Sequence, residues 1–257
     1  MIDLHSHVLP NIDDGSGSAE ETTAMLGLWR SFGFQRVAAS HHLSGELAAD
    51  YQRRIVAATA SIGPQAQRMG IELVSGFEIL LDPRLPERLG RGEPLSLGGS
   101  RAVLVELPFL SWPSYAEEVL FALQLGGYRP ILAHPERYDA VQHDLSLATS
   151  VAERGVVLQL TFASLTGALG PAPKKTAERL IGLDLPIILA SDAHSDGQRL
   201  LAIPEALKRA ERSVGAERLR QLTTETPQAL LADQALPDLA PVEASGQASN
   251  RFRLRRR

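Results

Sequence analysis

Cysteine is absent from the 257 residues, and aromatic side chains make up only 5% of them. The absence of thiols excludes a disulfide framework, a cysteine-based zinc or iron–sulfur site, and every mechanism with a thiolate nucleophile. Any metal must therefore be bound by histidine, aspartate and glutamate. No apolar run reaches the roughly 18–20 residues that cross a bilayer. Residues 1–5 show neither a basic nor an apolar leader pattern, so we expect a cytoplasmic protein.

Positive charge is scarce outside the C-terminus. The chain has 26 lysines and arginines against 30 aspartates and glutamates, and five of the arginines lie in residues 251–257. The first 250 residues therefore carry 21 basic and 30 acidic side chains, a formal charge of −9. Binding to a nucleic-acid duplex needs a basic face that displaces phosphate counterions. We therefore expect no nucleic-acid partner.

The C-terminal segment differs in composition from the rest of the chain. Residues 237–250 are rich in proline, alanine and serine, and the arginine run Arg251–Arg257 follows. Such a segment buries little apolar surface, so we expect one domain over residues 1–236 and a disordered tail over 237–257. The simplest interpretation of this tail is a solvated end. There are two alternatives: peripheral contact with an anionic membrane, and docking onto an acidic phosphotyrosine-bearing partner.

Short β-like runs alternate with amphipathic helical runs along residues 1–236. A capping-box pattern begins at Ser18, and a long helical stretch over 47–69 is expected to break near Gly63–Pro64. The alternation implies right-handed crossovers and a parallel sheet, open or closed into a barrel. Seven strands are predicted, over residues 2–5, 36–40, 71–79, 102–107, 130–133, 156–160 and 186–190.

Ionisable side chains follow every predicted strand except the sixth. Taken singly, each has an ordinary explanation, such as a hydrogen-bonded histidine or a solvated strand end. Taken together they indicate a metal site, because the carboxyl ends of the strands form the site in (β/α) barrels. The candidates are His5, His7, His41, His42, Glu78, Glu106, His134, Asp192 and His194, with Asp14 from a loop.

Two of these carboxylates strengthen the interpretation. Glu78 and Glu106 have apolar flanks that point into protein, and buried carboxylates need a cation. His5 and His7 have a spacing of two, which places both imidazoles on one side of a strand. Mixed imidazole and carboxylate ligands suit manganese, iron or zinc better than calcium, and the number of candidates predicts more than one ion.

Two arginines are candidates for binding phosphate. Arg137 lies three residues after His134, and Arg199 lies five residues after His194. A guanidinium presents a planar pair of donors that matches phosphate oxygens. A multinuclear site beside such groups can activate water and hold a phosphoryl group between its ions.

Seven motifs in order carry a family resemblance: Met1–His7, Asp13-Asp14-Gly15, Ser40-His41-His42, Gly76–Ile79, Val105–Leu107, Ala133–Tyr138 and Ala190–His194. With these motifs the chain resembles the PHP (polymerase and histidinol phosphatase) superfamily over residues 1 to about 233. More narrowly, it is similar to the bacterial protein-tyrosine phosphatases of capsular and exopolysaccharide loci, the CpsB/CapC/YwqE type.

The resemblance implies a distorted, TIM-like (β/α)₇ barrel with a trinuclear site, usually of manganese. One ion would be bound by His5, His7, Glu78 and Asp192, and a second by Glu78, Glu106 and His134. The third would be bound by Asp14, His41 and His194; His41 is preferred to His42 here because it follows Ser40 directly. Arg137 and Arg199 fall where the family binds phosphate. Phe162, after the sixth strand, departs from the family pattern and is expected to narrow the substrate cleft.

The expected activity is hydrolysis of phosphotyrosine monoesters by a metal-bound hydroxide. By the same resemblance, the substrate would be a bacterial tyrosine autokinase that regulates capsule or exopolysaccharide synthesis. Two alternatives remain open at this point: a small-molecule phosphatase of the histidinol-phosphate type, and a catalytically silent binding module.

Overall fold

Seven parallel strands form the centre of the computed structural model, which describes residues 1–242. Each strand pairs with its neighbours in sequence, so the spatial order is the chain order. This arrangement confirms the predicted seven-stranded parallel barrel in a single domain. The strands are β1 (Ile2–Asp3), β2 (Arg36–Leu43), β3 (Glu72–Leu80), β4 (Ala102–Glu106), β5 (Arg129–Leu132), β6 (Val157–Thr161) and β7 (Ile187–Ala190).

The barrel is nearly closed, and its first and last strands meet just beyond their carboxyl ends. A single parallel bridge joins Ser6 to Ala193. The Asp192 amide donates to the His5 carbonyl at 2.8 Å, and the His7 amide donates to the Ala193 carbonyl at 2.9 Å. Closure therefore takes place among the residues that the sequence singled out as candidate ligands.

Helices connect the strands, as the alternation predicts. None of the helices described in residues 1–242 is both long and apolar enough to cross a membrane. The α-helices are α1 (Ala19–Ser31), α2 (Ala49–Arg68), α3 (Leu85–Gly90), α4 (Ala116–Leu125), α5 (Asp139–His143), α6 (Ser146–Glu153), α7 (Phe162–Thr166), α8 (Pro171–Ile181), α9 (Gln198–Leu201), α10 (Ile203–Val214), α11 (Ala216–Arg220) and α12 (Thr226–Leu231). A π-helical turn (Gln221–Glu225) joins the last two, and 3₁₀ turns cover Leu97–Gly99 and Pro135–Arg137.

One helix boundary is as predicted and one predicted break is wrong. The Ser18 hydroxyl caps α1 by accepting from the Glu21 amide at 3.1 Å, and the Glu21 carboxylate accepts from Gly17. Helix α2, by contrast, runs unbroken through Pro64. The residue before a proline is normally forced out of the helical region by a clash with its Cβ. Gly63 has no Cβ, so part of this clash is absent and the helix continues.

Two apolar layers flank the strands. The larger lies between the barrel and its helices, and the smaller fills the barrel itself. Leu230 of α12 and Leu97 pack into the inner layer from the amino ends of the strands, so this end is plugged. The carboxyl ends remain as the open face, where polar side chains gather. The inner layer consists of Ile2, Leu4, Ala38, Val74, Leu97, Ala102, Leu104, Ile131, Ala133, Val157, Ile188 and Leu230.

Two expectations about the edges of the fold are corrected. Phe162 is fully buried and meets Phe34 edge-on at 6.1 Å, so it belongs to the outer core and does not narrow the cleft. The folded body also extends past residue 236, because the Gln221 side chain donates to the Asp238 carbonyl and accepts from the Ala240 amide. The rest of the predicted tail, residues 243–257 with the arginine run, lies outside the described residues.

We predict that Gly76→Ala destabilises the fold. A Cβ on Gly76 would lie 2.4 Å from the Leu97 side chain and 3.3 Å from its Cα, so the floor of the barrel must shift. Overpacking of this kind costs about 1–3 kcal/mol of the free energy of unfolding. Gly27→Ala is the matched control, because Gly27 lies inside α1 and the nearest atom to a Cβ there is Met69 Cε at 3.7 Å, an ordinary contact. It should raise the free energy of unfolding by up to about 1 kcal/mol. Urea unfolding that shows equal changes in both variants would contradict this packing.

Candidate active site

The open face of the barrel holds a small, strongly polar cavity of about 110 Å³. The strands deliver its side chains from positions far apart in sequence, because their carboxyl ends meet at this face. Eight of the nine predicted ligands and both predicted arginines lie in it or directly beneath it. The cavity is lined by Asp14, His42, Glu78, Glu106, Phe109, His134, Arg137, Asp192, His194 and Arg199.

His5 and His7 lie beneath this cavity with their Nε2 atoms 3.4 Å apart. Each ring is held by its other nitrogen. The Nδ1 atom of His5 lies 2.7 Å from Gln159 Oε1, and the Nδ1 atom of His7 lies 2.7 Å from Asp13 Oδ2. An acceptor at Nδ1 keeps a proton there and turns Nε2 toward the group as the atom for a metal. Burial lowers the pKa of both rings, but the surrounding carboxylates outweigh it and raise the pKa, so a metal would displace a proton from Nε2. The two imidazoles are therefore oriented as ligands are.

Two carboxylates complete a compact group around these nitrogens. From His5 Nε2, Glu78 Oε2 and Asp192 Oδ1 are each 3.3 Å away. From His7 Nε2, the same oxygens are 3.4 and 3.5 Å away. Ligands bound about 2.1 Å from one ion in a tetrahedron lie about 3.4 Å apart, and the ligand atoms of His5, His7 and Glu78 meet this spacing. Glu78 Oε2 is buried and has no hydrogen bond of good geometry in residues 1–242, although His42 Nδ1 lies 2.9 Å from it. The group therefore fits a divalent cation.

A second group lies on the other side of Glu78. Its Oε1 atom is 2.8 Å from His134 Nε2, which in turn lies 3.6 Å from Glu106 Oε1. Burial, together with the Glu78 carboxylate, raises the pKa of Glu106 to about 7. Burial lowers the pKa of His134, so its imidazole stays neutral. A bound cation would offset the repulsion between the two carboxylates.

The third group has His42 in place of the expected His41, and it also includes His7. Asp14 Oδ1 lies 3.4 Å from His194 Nε2 and 3.3 Å from His42 Nε2. Ligand atoms of His7, Asp14, His42 and His194 all lie within 4.8 Å of one another. Burial and the neighbouring His7 lower the pKa of His194 to about 4, which leaves it neutral and able to bind a metal. The predicted His41 is absent from this group and from the other groups of ligand atoms in the described chain.

The phase of β2 explains the difference. Side chains alternate along a strand, and Ala38 lies in the inner core whereas Ala39 lies in the outer one. His42 has the parity of Ala38 and reaches the cavity, whereas His41 has the parity of Ala39. The His41 ring is buried, and neither nitrogen has a hydrogen bond among residues 1–242. Burial lowers its pKa to about 4.

Strained backbone sets the direction of two ligands. His134 and Asp192 adopt left-handed conformations, with φ of 53° and 50°. Such values are uncommon for residues with a Cβ and cost of order 1–3 kcal/mol. The His134 amide donates to the Gln159 carbonyl at 2.9 Å, and the Asp192 amide donates to the His5 carbonyl at 2.8 Å. The strain thus occurs where β5 and β7 turn toward the cavity.

Both arginines meet at Asp192. Arg137 Nη1 donates to Asp192 Oδ2 at 2.5 Å, and Arg199 Nη1 lies 2.7 Å from the same oxygen. Burial raises the pKa of Asp192, but charge from His5, a hydrogen bond from His7 and charge from Arg199 outweigh it, and the pKa falls below its ordinary range. Within residues 1–242, each arginine donates through Nη1 alone. Their other guanidinium N–H groups are available to an anion in the cavity.

Sequence reasoning missed three supporting side chains. Asp13 orients His7 and also accepts from the His42 amide at 3.0 Å. Gln159 orients His5, so the sixth strand contributes an amide where the others contribute ligands. Glu136 is buried and accepts from the Thr161 amide at 2.9 Å and from Ser164, which holds the turn that carries Arg137. One sequence signal could have indicated the role of Gln159, because it is a polar residue between two leucines of β6.

Comparison with known proteins agrees with this geometry. The profile of a family described as "Capsular polysaccharide synthesis, CpsB/CapC" matches residues 1–232. The chain belongs to the CpsB/CapC family. Among relatives, Tyrosine-protein phosphatase YwqE of Bacillus subtilis is 32% identical over 238 residues, 92% of this chain and 93% of YwqE. Tyrosine-protein phosphatase CpsB of Streptococcus pneumoniae is 25% identical over 243 residues, 92% of this chain and 100% of CpsB.

A solved structure of the CpsB/CapC family also matches closely. It is described as "Crystal structures of YwqE from Bacillus subtilis and CpsB from Streptococcus pneumoniae, unique metal-dependent tyrosine phosphatases". The TM-score is 0.83 at 31% identity, and the match covers 95% of this chain and 100% of that chain. The barrel described above is therefore the fold of this family.

We predict that His42→Ala lowers the metal content and that His41→Leu does not. The His42 ring lies among the candidate ligands, whereas the His41 ring is buried outside these groups, with Nδ1 3.9 Å from Asp13 Oδ2. After dialysis against buffered Mn²⁺, elemental analysis should find about one equivalent fewer in His42→Ala. His41→Leu should keep the wild-type content. Loss of metal from His41→Leu alone would contradict the placement of β2.

Metal binding at the second group should depend on pH through Glu106. Its carboxyl has a raised pKa of about 7 and must lose its proton to become a ligand. The affinity for Mn²⁺ should therefore fall by about tenfold between pH 8 and pH 6 through this carboxyl alone, as protonation competes with the ion. Titration of the metal-free protein in metal-buffered solutions measures this dependence. Equal affinity at both pH values would contradict the assignment.

Proposed function

We propose that this protein is a metal-dependent phosphatase that hydrolyses phosphotyrosine monoesters. The observation that carries the proposal is that overlapping groups of candidate metal ligands and two guanidiniums with free donors share one cavity. The relatives that share the fold are named tyrosine-protein phosphatases, and a solved pair is described as metal-dependent.

The proposed ligand sets are those that the family resemblance implies, with His42 in place of His41 because His42 lies among the candidate ligand atoms. His5, His7, Glu78 and Asp192 would bind one ion, and Glu78, Glu106 and His134 a second. Asp14, His42 and His194 would bind the third. We propose manganese, with iron or zinc as alternatives, because the donors are imidazoles and carboxylates. Bound divalent ions would supply an activated water and polarise phosphoryl oxygens.

The remaining chemistry falls to the side chains of this chain. Arg137 and Arg199 bind the non-bridging oxygens of the phosphate with the N–H groups that Asp192 leaves free. Asp192 holds both guanidiniums in the cavity, so their charge is in place before the substrate arrives. Phosphoryl transfer needs mainly positioning and charge stabilisation, and a phenolate is a fair leaving group. A thiolate nucleophile is excluded because the chain has no cysteine.

The physiological substrate is proposed to be a phosphotyrosine-bearing protein, a bacterial tyrosine kinase of capsule or exopolysaccharide synthesis. The family description, which refers to capsular polysaccharide synthesis, supports this proposal. The negative body of the chain does not oppose binding of an anionic peptide, because ions at the cavity would reverse the local charge.

Competing substrates test the proposal. With Mn²⁺ present, kcat/KM should be at least about tenfold higher for a phosphotyrosine peptide than for histidinol phosphate, and EDTA should abolish both activities. A preference for histidinol phosphate would overturn the choice of substrate. Absence of hydrolysis of any aryl phosphate by metal-loaded protein would instead support a silent binding module.

Arg137→Ala should separate phosphate binding from metal binding. Removal of one donor to the charge that develops in the transition state costs about 10²-fold in rate. We expect kcat/KM for the phosphotyrosine peptide to fall by about that factor, with the metal content unchanged by elemental analysis. Arg154→Ala is the control, since Arg154 is an exposed arginine paired with Glu117. Loss of metal from Arg137→Ala would contradict the proposed role.

A further inference from the structure

The cavity has one apolar side chain among the ten that line it. Phe109 follows β4, three residues after Glu106, and every other lining residue is an arginine, a histidine or an acid. Phe109 is 39% exposed, and the next residue, Leu110, is 85% exposed. An apolar group at the edge of a charged cavity does not help to bind phosphate or metal. Its contacts therefore indicate what else the cavity receives.

Phe109 is held in place from several sides. Its carbonyl accepts from the Asp139 amide at 2.9 Å. Its ring stacks on His134 with centroids 5.6 Å apart and planes 16° apart, and it meets Tyr138 edge-on at 5.9 Å. Tyr138 is buried, and its hydroxyl donates to the Ala133 carbonyl and accepts from the Leu107 amide. The ring therefore has a fixed position although it is exposed.

Phe109 also contacts the phosphate-binding group. The guanidinium carbon of Arg137 lies 4.8 Å from the centre of the Phe109 ring, a cation–π contact. A phosphate that accepts a hydrogen bond from Arg137 would therefore lie close to the Phe109 ring, because the same guanidinium contacts that ring. An ester substituent that leaves the cavity on the Arg137 side would lie within reach of the exposed part of the ring. Aromatic pairs in such positions attract each other by about 0.5–1.5 kcal/mol beyond their buried area.

We propose that Phe109 is a specificity-determining residue that selects aryl over alkyl phosphomonoesters by packing against the ring of the substrate. The inference rests on the proposed function, and in it Phe109 is the residue that contacts the aromatic ring of the substrate. Because the contact exists in both the ground state and the transition state, it acts on KM and leaves kcat unchanged.

Phosphonates that cannot be hydrolysed test this contact without any effect of the leaving group. Calorimetry on the metal-loaded enzyme should find that benzylphosphonate binds more tightly than methylphosphonate. In Phe109→Leu, the affinity for benzylphosphonate should fall about fivefold, the factor that corresponds to roughly 1 kcal/mol. The affinity for methylphosphonate should not change. The KM for the phosphotyrosine peptide should rise by a similar factor at constant kcat.

Two variants serve as controls. Phe109→Tyr keeps the aromatic ring and should keep the wild-type affinities. Phe121→Leu replaces a phenylalanine that is 56% exposed on α4, outside the cavity lining, and should change nothing. Metal content, measured by elemental analysis, should equal that of the wild type in all three variants.

Three outcomes would overturn the inference. The first is a wild-type enzyme with no preference for the benzyl compound. The second is an equal loss of affinity for both phosphonates in Phe109→Leu, which would mark the ring as a support for Arg137. The third is unchanged binding in that variant. Failure of the wild type to hydrolyse the phosphotyrosine peptide with metal bound is a different result. It would overturn the proposed function itself and this inference with it.

Discussion

The hydrogen bond from the Asp192 amide to the His5 carbonyl is the contact on which the rest of the site depends. It closes the barrel between β1 and β7, and it fixes Asp192 in a left-handed conformation beside two imidazoles. The same residue then holds Arg137 and Arg199 by its carboxylate. Barrel closure, metal-ligand geometry and phosphate binding therefore share one residue, and a shift of its backbone would affect all three.

The concentration of charge in the cavity has a thermodynamic consequence. Buried carboxylates and imidazoles lose hydration, and only part of that cost is offset by the pairs they form with one another. An ion that binds the folded state and not the unfolded one stabilises the fold according to its concentration relative to its Kd. The excess of acid in the body of the chain is partly a requirement for such ions, since Asp14, Glu78, Glu106 and Asp192 are among the candidate ligands.

Much of the fold and most of the site follow from sequence patterns, and the exceptions have identifiable physical causes. Hydrophobic alternation predicts the seven strands, and the parallel arrangement brings their carboxyl ends together. The structure places His42 at the cavity where the sequence favoured His41. Adjacent residues of a strand face opposite layers, and a preceding Ser40 does not determine which of the two faces inward. The neighbouring Ala38 and Ala39 do not reveal it either, since both are small and apolar.

Long-range packing accounts for the other differences. Phe162 was expected in the cleft from its place after β6, but the chain turns into α7 there and directs the ring toward Phe34 in the outer core. The roles of Gln159 and Asp13 depend on contacts with His5 and His7 across the barrel mouth. A sequence pattern records which residues are polar, whereas these contacts depend on which strand lies opposite which.

His5 and His7 are proposed to bind divalent ions through Nε2 because Gln159 and Asp13 hold their Nδ1 atoms. Anomalous diffraction from crystals grown with Mn²⁺ locates such ions. We expect a manganese peak between the two Nε2 atoms, with Nδ1 of each ring still on its present partner, and a further peak in contact with His42. Manganese bound through Nδ1, or no peak among these side chains in an enzyme that hydrolyses phosphotyrosine peptide, would contradict this proposal.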